Sequence, residues 1–147
     1  MRGGGQTVTA TVGREAEFTA TGPLAFGAVV AEVLQTTGGR HLHIGPVGLD
    51  FRIGALKALT AAGIASDRLV FLTDETQIAT AFARNRIDAM LGSFPRAEAV
   101  TRIETAWTGL PQAHHAPALG SEAAAPGSLL WRTPQELAQG LAGLTGT

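Results

Sequence analysis

The feature that most constrains the fold is a regular alternation of strand-like and helix-like segments between residues 40 and 107. Strand patterns at 40–45, 68–73 and 87–92 are each followed by a stretch with helical periodicity. The segment 68–73 is a nearly continuous apolar run, which is typical of a strand buried on both faces. Because parallel strands are joined by long right-handed crossovers, this order predicts an α/β domain with a mostly parallel sheet and helices on both faces.

The residues before position 40 predict further strands and a helix. Segments 7–12 and 15–21 alternate apolar and small polar residues on either side of Gly13, a pattern typical of strands. A helix follows, for which Pro23 suits the first position and Gly38 the end. Five apolar residues recur at helical spacing and predict its buried face: Phe26, Val29, Val30, Val33 and Leu34.

A second helix is predicted over residues 50–62, directly after a loop with two glycines. Asp50 is its candidate N-cap and Gly63 its C-cap. The residues expected to face the core are Phe51, Ile53, Leu56 and Leu59.

The periodicity disappears after Trp107 and returns near the C-terminus. Residues 108–128 contain three prolines and are predicted to form a loop or an extended return across the surface. A final helix is predicted from Thr133 as N-cap, with Pro134 in the first position and Glu136 completing a capping box. The chain is thus divided into a flexible lead-in (1–6), an α/β lobe (7–107), and a return segment with a C-terminal helix packing on the same domain (108–147).

Composition excludes several classes of function. The 11 Lys and Arg residues balance 12 Asp and Glu residues, so no basic surplus favours a nucleic-acid partner. The absence of cysteine excludes disulfides, thiolate zinc sites and a cysteine nucleophile. No apolar run approaches the roughly 18 residues that span a bilayer, and the N-terminus lacks the apolar region of a secretory signal. We therefore expect either a cytosolic protein or a mature or excised piece with a new start.

The carboxyl ends of the predicted strands define the candidate binding site, because ligands of open α/β sheets bind there. The loops 45–50, 73–76 and 92–95 each lead from a strand into a helix N-terminus, which favours an anion. Gly45 and Gly48 would let the backbone approach a ligand closely. Polar side chains in these loops could contact the ligand. Alternatively, Asp50, Asp74 and Ser93 only cap helices.

The sequence of the first loop, "GPVGLD", favours a small carboxylate over a phosphate. The loop lacks the Gly-Lys-Ser/Thr ending of a P-loop, and its glycines do not follow the G-x-G-x-x-G spacing of a dinucleotide fingerprint. Asp74 and Glu75 disfavour a bulky polyanion at the second loop. Dinucleotide binding stays open as an alternative, because Asp74 stands where a ribose-binding acid would follow a second strand.

The four histidines are candidate metal ligands. His41 and His43 share one face of a predicted strand, a spacing that can chelate a metal, whereas His114 and His115 lie in the proline-rich segment. The alternative is a hydrogen-bonded pair near a sheet face and a solvated loop pair. The sequence contains neither H-E-x-x-H nor G-x-S-x-G and no nucleophile–base set, so no catalysis, metal or cofactor is predicted.

Three successive stretches resemble the second lobe of bacterial periplasmic solute receptors, and the match is best with the tripartite tricarboxylate transporter receptor family. They are "HLHIGPVGLDFRIGALKALTAAGI", "RLVFLTDETQIATAFARNR" and "IDAMLGSFPRAEAV". The resemblance covers about residues 14 to 107. It implies one lobe of a periplasmic-binding fold, in which strand-to-helix loops hold a small carboxylate or dicarboxylate without chemistry.

The resemblance also implies ligand residues, partners and a location. The partners would be a first lobe that this chain lacks or a second copy forming a homodimer, and a membrane permease. The location would be periplasmic or extracellular, with the cytoplasm left open because no signal peptide is seen. Two other hypotheses stay open, namely a Rossmann-type dinucleotide-binding domain of an enzyme and a ligand-free assembly domain that dimerises. Carried over by position, the ligand-binding residues would be Gly45, Val47, Gly48, Leu49, Asp50, Thr73, Asp74, Gly92 and Ser93.

Overall fold

The computed structural model contains six strands and three helices among the residues it describes, which are 7–13, 18, 25–72, 87–91, 94, 112–115 and 129–144. The strands are β1 (Val8–Val12), β2 (Arg40–Ile44), β3 (Leu69–Leu72), β4 (Ala89–Leu91), β5 (Gln112–His115) and β6 (Leu129–Trp131). The helices are α1 (Phe26–Thr37), α2 (Leu49–Ala61) and α3 (Pro134–Leu144), with a single 3-10 turn at Ser66–Arg68.

The six strands form one sheet in the order β3-β2-β1-β4-β5-β6, and every described pairing is parallel. The predicted α/β domain with a mostly parallel sheet is therefore confirmed. The chain proceeds outward from β1 to β3, returns to the other side of β1, and proceeds outward again from β4 to β6. Because all strands are parallel, their carboxyl ends lie at one edge of the sheet, and the strand order reverses between β1 and β4.

Each face of the sheet carries its own apolar cluster. The three described helices pack on one face, where α1 contacts both α2 and α3. The buried residues of that face come from all three helices and include Val33, Leu59 and Leu141. A second cluster covers the opposite face and is formed by Val8, Ala10, Leu42, Ile44, Ile87 and Met90.

Helix α1 has the buried face that its spacing predicted, since all five apolar residues of that face are buried. Gly38 ends the helix in the left-handed conformation with φ +69°, and its N–H donates to the Leu34 carbonyl. Pro23 lies outside the described residues, and the described helix begins at Phe26 after an extended Ala25. Among residues 15–21, predicted as a strand, only Phe18 is described, and it lies in a bend.

Helix α2 begins one residue earlier than predicted, so Asp50 is not its N-cap. The N-cap is the extended Gly48 (φ −74°, ψ 167°), and Asp50 lies exposed in the first turn without a side-chain capping bond. A carboxylate in the first turn is favourable with the helix dipole. Ile53 is 41% exposed and does not face the core, because the buried side of this helix is formed by Ala55 and Leu59.

The end of α2 confirms the predicted role of Gly63. This glycine has φ +77°, and its N–H donates to the Thr60 carbonyl at 3.0 Å. The next N–H, that of the buried Ile64, donates to the Leu59 carbonyl at 2.9 Å. These two bonds form a Schellman motif, which satisfies carbonyls that the helix leaves without an internal donor.

The prediction for residues 108–128 is wrong at β5, which forms within this segment and pairs with β4. Both β5 and β6 are too short to show a period in the sequence, and they are held by their neighbours in the sheet. In the portions of the chain that the structure describes, no helix combines the length and apolarity needed to cross a membrane.

The capping box at α3 is confirmed. The Glu136 N–H donates to Thr133 Oγ1 at 3.2 Å, and the Glu136 carboxylate accepts from the Thr133 N–H at 3.0 Å. It also accepts from the Arg132 N–H at 3.1 Å. Three backbone donors at the start of the helix thus have side-chain partners, which stabilises the helix against fraying.

We expect Thr133→Ala to lower the free energy of unfolding by about 1 kcal/mol, because the Glu136 N–H loses its acceptor. Urea unfolding monitored by circular dichroism measures the change. Thr133→Ser is the matched control, since serine keeps the capping hydroxyl and should retain most of the stability. Equal losses in the two variants would show that the hydroxyl is not the stabilising group.

Candidate functional site

The crevice at which the strand order reverses is bounded by the carboxyl ends of β1 and β4. The chain leaves β1 at Gly13, and it leaves β4 after Leu91. The connection from β1 leads to β2 on one side and the connection from β4 leads to β5 on the other, so this is the switch point of the strand order. Open α/β sheets bind ligands at this position. Gly13 was not among the predicted site residues.

The first predicted loop lies one strand away from this crevice, after β2. Gly45 and Val47 are half-buried there, whereas Gly48, Leu49 and Asp50 are exposed. Of the other predicted site residues, Thr73 and Asp74 follow β3 in the chain, Gly92 and Ser93 follow β4, and all four lie outside the described residues.

The three predicted loops follow strands that are not all neighbours. Strand β1 lies between β2 and β4. At a spacing of about 4.8 Å per strand, the ends of β2 and β4 are separated by about 10 Å. The signal that could have identified the missing loop was present, because 7–12 followed by Gly13 repeats the strand-then-glycine pattern of 40–45.

Two glycines pack against each other where the chain leaves β1 and β2. The Gly13 N–H donates to the Ile44 carbonyl at 3.1 Å, and the Gly45 N–H donates to the Leu72 carbonyl at 3.0 Å. A Cβ atom on Gly45 would lie 2.3 Å from the Gly13 carbonyl oxygen. Gly45 also has φ +141°, a conformation that side chains disfavour. Only glycine therefore fits at position 45.

A ladder of buried polar side chains, here called the Thr–His ladder, joins β1 to β2 under helix α1. It consists of Thr9 and Thr11 on β1 and of His41 and His43 on β2, which pair in register. Thr9 Oγ1 lies 2.7 Å from His41 Nδ1, and Thr11 Oγ1 lies 3.0 Å from His41 Nε2 and 2.6 Å from His43 Nδ1. The ladder ends at the Gly13 carbonyl oxygen, 3.2 Å from His43 Nε2.

The carbonyl at the end of the ladder determines where its protons lie. A carbonyl only accepts, so His43 Nε2 carries hydrogen and, in the neutral ring that burial favours, Nδ1 accepts from Thr11. The Thr11 oxygen then accepts from His41 Nε2–H, and His41 Nδ1 accepts from Thr9. Every hydroxyl and ring nitrogen has a partner, and both imidazoles are Nε2–H tautomers.

This geometry supports the hydrogen-bonded interpretation of His41 and His43. His114 cannot join them in a metal site, because it lies on the opposite face of the sheet and contacts the Gln112 side chain at 2.8 Å. His114 is buried in β5, so the interpretation as a solvated loop residue is wrong, and only the backbone of His115 is described. Within the described ranges, no group of three or more acidic and histidine side chains could hold a metal ion.

Aromatic rings form a row below the carboxyl edge and cross the switch in strand order. The His43 ring lies edge-on to Phe18, with centroids 5.1 Å apart, and Phe18 lies edge-on to Phe94 at 5.2 Å. Phe94 in turn contacts Trp131 of β6 at 5.5 Å. Because Phe18 follows β1 and Phe94 follows β4, this contact joins the two connections that border the crevice. Three further rings surround His43, namely Phe26, Phe51 and Phe71.

A cavity of about 310 Å³ lies between the N-terminal halves of α1 and α2. Its lining is mainly apolar and includes Phe18, Phe26 and Phe51. The one charged residue among those that line it is Asp50. An apolar cavity whose charged group is a carboxylate does not favour a carboxylate ligand, because like charges repel.

Burial, and in second place the neighbouring His43, lowers the pKa of His41 from 6.5 to about 3. The unfolded chain therefore binds a proton here below pH 6.5 that the native state does not bind. We expect the free energy of unfolding to fall as the pH falls from 6.5 toward 3, by at most about 1.4 kcal/mol per pH unit from this residue. Urea unfolding at several pH values, compared with His41→Gln, measures it. An identical slope in the variant would contradict the assignment.

Solved structures that resemble this chain distinguish the solute-receptor fold from a Rossmann-type fold. A mutant of the O-GlcNAc transferase of Thermobaculum terrenum matches 97% of this chain with a TM-score of 0.68 and 21% identity. HepE of Anabaena, solved in complex with UDP and glucose, matches 97% with a TM-score of 0.66 and 16% identity. The lipopolysaccharide outer core galactosyltransferase WaaB matches 99% with a TM-score of 0.63 and 17% identity.

The fold is the Rossmann-like lobe seen in glycosyltransferases of the GT-B type. This chain spans 29%, 41% and 41% of the three matched chains, which is less than half of each. No protein-family model matches the sequence, and no curated protein matches it significantly.

These matches correct three expectations. The resemblance to tripartite tricarboxylate transporter receptors is wrong, and so is the carboxylate-binding transport function that it implied. The expectation that the chain has no enzymatic role is also contradicted, since the solved structures that it resembles are glycosyltransferases. The alternative of a Rossmann-type enzyme domain fits better. The physical reason for the error is that both folds alternate strands with helices, so the order of these segments does not distinguish one fold from the other.

Proposed function

We propose that this chain is one lobe of a glycosyltransferase and that it binds the nucleoside diphosphate part of a sugar donor. The binding position is the crevice between the carboxyl ends of β1 and β4. The observation that carries the proposal is the parallel strand order β3-β2-β1-β4-β5-β6, which places a switch point there. The complex of HepE with UDP and glucose supports the choice of ligand, because that protein shares the fold over 97% of this chain.

Arginines in the sequence around the crevice favour an anionic ligand, whereas Glu15 and Glu17 beside Arg14 disfavour one. Gly13, which is buried in the structure, follows β1 and has no side chain to separate the backbone from a ligand. In the sequence, Arg14 follows Gly13 directly, and Arg96 follows Leu91 by five residues. Both arginines lie outside the described residues. A guanidinium in each connection that borders the crevice would supply the charge-assisted hydrogen bonds that a diphosphate requires.

A dinucleotide is a poorer candidate for the same crevice. In the classic dinucleotide fold, the turn after β1 carries the G-x-G-x-x-G fingerprint. Here the sequence after Gly13 reads "REAEFTAT", and the next glycine is Gly22. The close approach to the pyrophosphate and the close helix–strand packing that the second and third glycines provide are therefore not encoded.

Titration of the ¹⁵N-labelled chain with UDP tests the proposal. We expect the amide resonances of Gly13 and Leu91 to shift, because they lie at the carboxyl edge of β1 and β4. Those of Val8 and Ala89 should change little, and they form an internal control at the amino edge of the same two strands. NAD⁺ and malonate represent the dinucleotide and dicarboxylate alternatives. Shifts with either of them and none with UDP would refute the proposal.

Arg14→Gln should weaken UDP binding about tenfold or more, since a hydrogen bond to a charged group contributes roughly 1.5–3 kcal/mol. Arg132→Gln is the matched control, because Arg132 is exposed after β6, two strands away from β4. Isothermal titration calorimetry gives both affinities. Equal losses in the two variants would indicate only a general effect of charge.

A further inference from the structure

His43 holds the connection between β1 and α1 at two separate points. Its Nε2–H donates to the Gly13 carbonyl at 3.2 Å, directly where the chain leaves β1. Its ring also lies edge-on to Phe18, five residues further along, with centroids 5.1 Å apart. One side chain on β2 thus fixes both the start and the middle of a connection that belongs to β1.

The orientation of His43 is itself determined by its surroundings. Thr11 donates to Nδ1 at 2.6 Å, so a rotation of the ring by 180° would replace both bonded nitrogens with carbons. The ring is fully buried and lies 5.1 Å from Phe26 and 6.1 Å from Phe71, measured between centroids. Burial, and in second place His43, lowers the pKa of the adjacent His41 to about 3, which agrees with a neutral His41 ring.

The connection that His43 holds borders the crevice between β1 and β4. Phe18 contacts Phe94 at 5.2 Å, and Phe94 belongs to the connection that leaves β4. A displacement of Phe18 would therefore also displace Phe94, on the other side of the crevice. Packed aromatic rings transmit such displacements because protein interiors are dense.

We propose that His43 is a positioning residue, which holds Gly13 and Phe18 in the arrangement that binds a nucleoside diphosphate. It acts through Gly13 and Phe18 and does not touch the ligand. This inference rests on the proposed function for its ligand. Its geometric part, a donor bond from His43 to the Gly13 carbonyl, stands independently of any ligand.

Two variants separate the positioning role from simple packing. His43→Gln keeps an N–H donor near the position of Nε2 and so within reach of the Gly13 carbonyl. His43→Asn keeps a polar atom near Nδ1 for Thr11 but is too short to reach Gly13. Both remove the imidazole and its ring contacts, so each is the matched control of the other.

We expect His43→Gln to bind UDP within about threefold of the unchanged chain, and His43→Asn to bind at least tenfold more weakly. Amide hydrogen exchange at Gly13 should accelerate at least tenfold in His43→Asn only. Equal affinities and exchange rates in the two variants would overturn the proposal. If the unchanged chain does not bind UDP, the proposed function fails, and the exchange rates still decide the positioning role.

If neither variant folds, the tautomers of His41 and His43 can still be measured in the wild-type chain. Long-range ¹H–¹⁵N correlation spectra distinguish the two neutral tautomers of histidine. We expect His41 and His43 both to be Nε2–H tautomers, as the ladder requires. An Nδ1–H tautomer at His43 would remove the donor to Gly13 and overturn the proposal.

Discussion

Replacing Thr11 by valine is expected to lower the free energy of unfolding by about 3 kcal/mol, because two buried ring nitrogens lose their partner at a cost of about 1–3 kcal/mol each. The hydroxyl lies 3.0 Å from His41 Nε2 and 2.6 Å from His43 Nδ1, and valine fills the same volume without replacing either bond. Urea unfolding at neutral pH measures the loss.

The controls for this variant come from the ladder itself. Thr9→Val leaves one ring nitrogen of His41 without its partner and should cost about half as much. Thr11→Ser keeps the hydroxyl and loses one methyl group, which should cost about 1 kcal/mol. If Thr11→Val costs no more than Thr9→Val, the hydroxyl of Thr11 does not bridge the two rings, and the proton arrangement derived above is incorrect.

Replacing Gly45 by alanine is expected to cost about 3 kcal/mol or more, since backbone strain and overpacking each cost about 1–3 kcal/mol. The new Cβ would lie 2.3 Å from the Gly13 carbonyl oxygen at a φ of +141°. A backbone atom cannot move aside as a flexible side chain can. We also expect the Gly13 amide resonance to shift, because its carbonyl would be displaced from His43.

Gly54→Ala is the matched control for Gly45→Ala. Gly54 lies in the interior of α2, and a Cβ atom there would meet nothing within 4 Å. Because glycine is a poor helix former, alanine should raise the free energy of unfolding by about 0.5–1 kcal/mol. We therefore expect Gly45→Ala to lower the free energy of unfolding and Gly54→Ala to raise it. If Gly45→Ala lowers the free energy of unfolding by less than 1 kcal/mol, Gly45 does not pack against the Gly13 carbonyl as the structure shows.

The elements that were predicted correctly are those whose signals lie within a few residues. The buried face of α1, the glycine ends Gly38 and Gly63, and the capping box of Thr133 with Glu136 all depend on local spacing. Asp50 was misplaced as a cap because Gly48, which can also occupy an N-cap, stands two residues before it. Ile53 was assigned to the core because an apolar residue at helical spacing does not reveal whether another element covers it.

The sequence predicted the edge of the sheet at which the candidate site lies, but not the loops that form it. A binding edge at the carboxyl ends of parallel strands followed from the alternation of elements. The choice among its loops did not follow, since β1 was not recognised as a central strand of the same sheet. The assignment of Gly45, Val47, Gly48, Leu49, Asp50, Thr73, Asp74, Gly92 and Ser93 as ligand residues stays a prediction.

The sequence by itself determined that this chain forms an α/β domain with parallel strands, and that His41 and His43 share one face of a strand. Both conclusions depend on periods of two to four residues, which any segment carries within itself. The tertiary structure alone decided the strand order, the crevice between β1 and β4, and the partners of the two histidines. Those depend on pairing between segments about thirty to eighty residues apart, which no local pattern records.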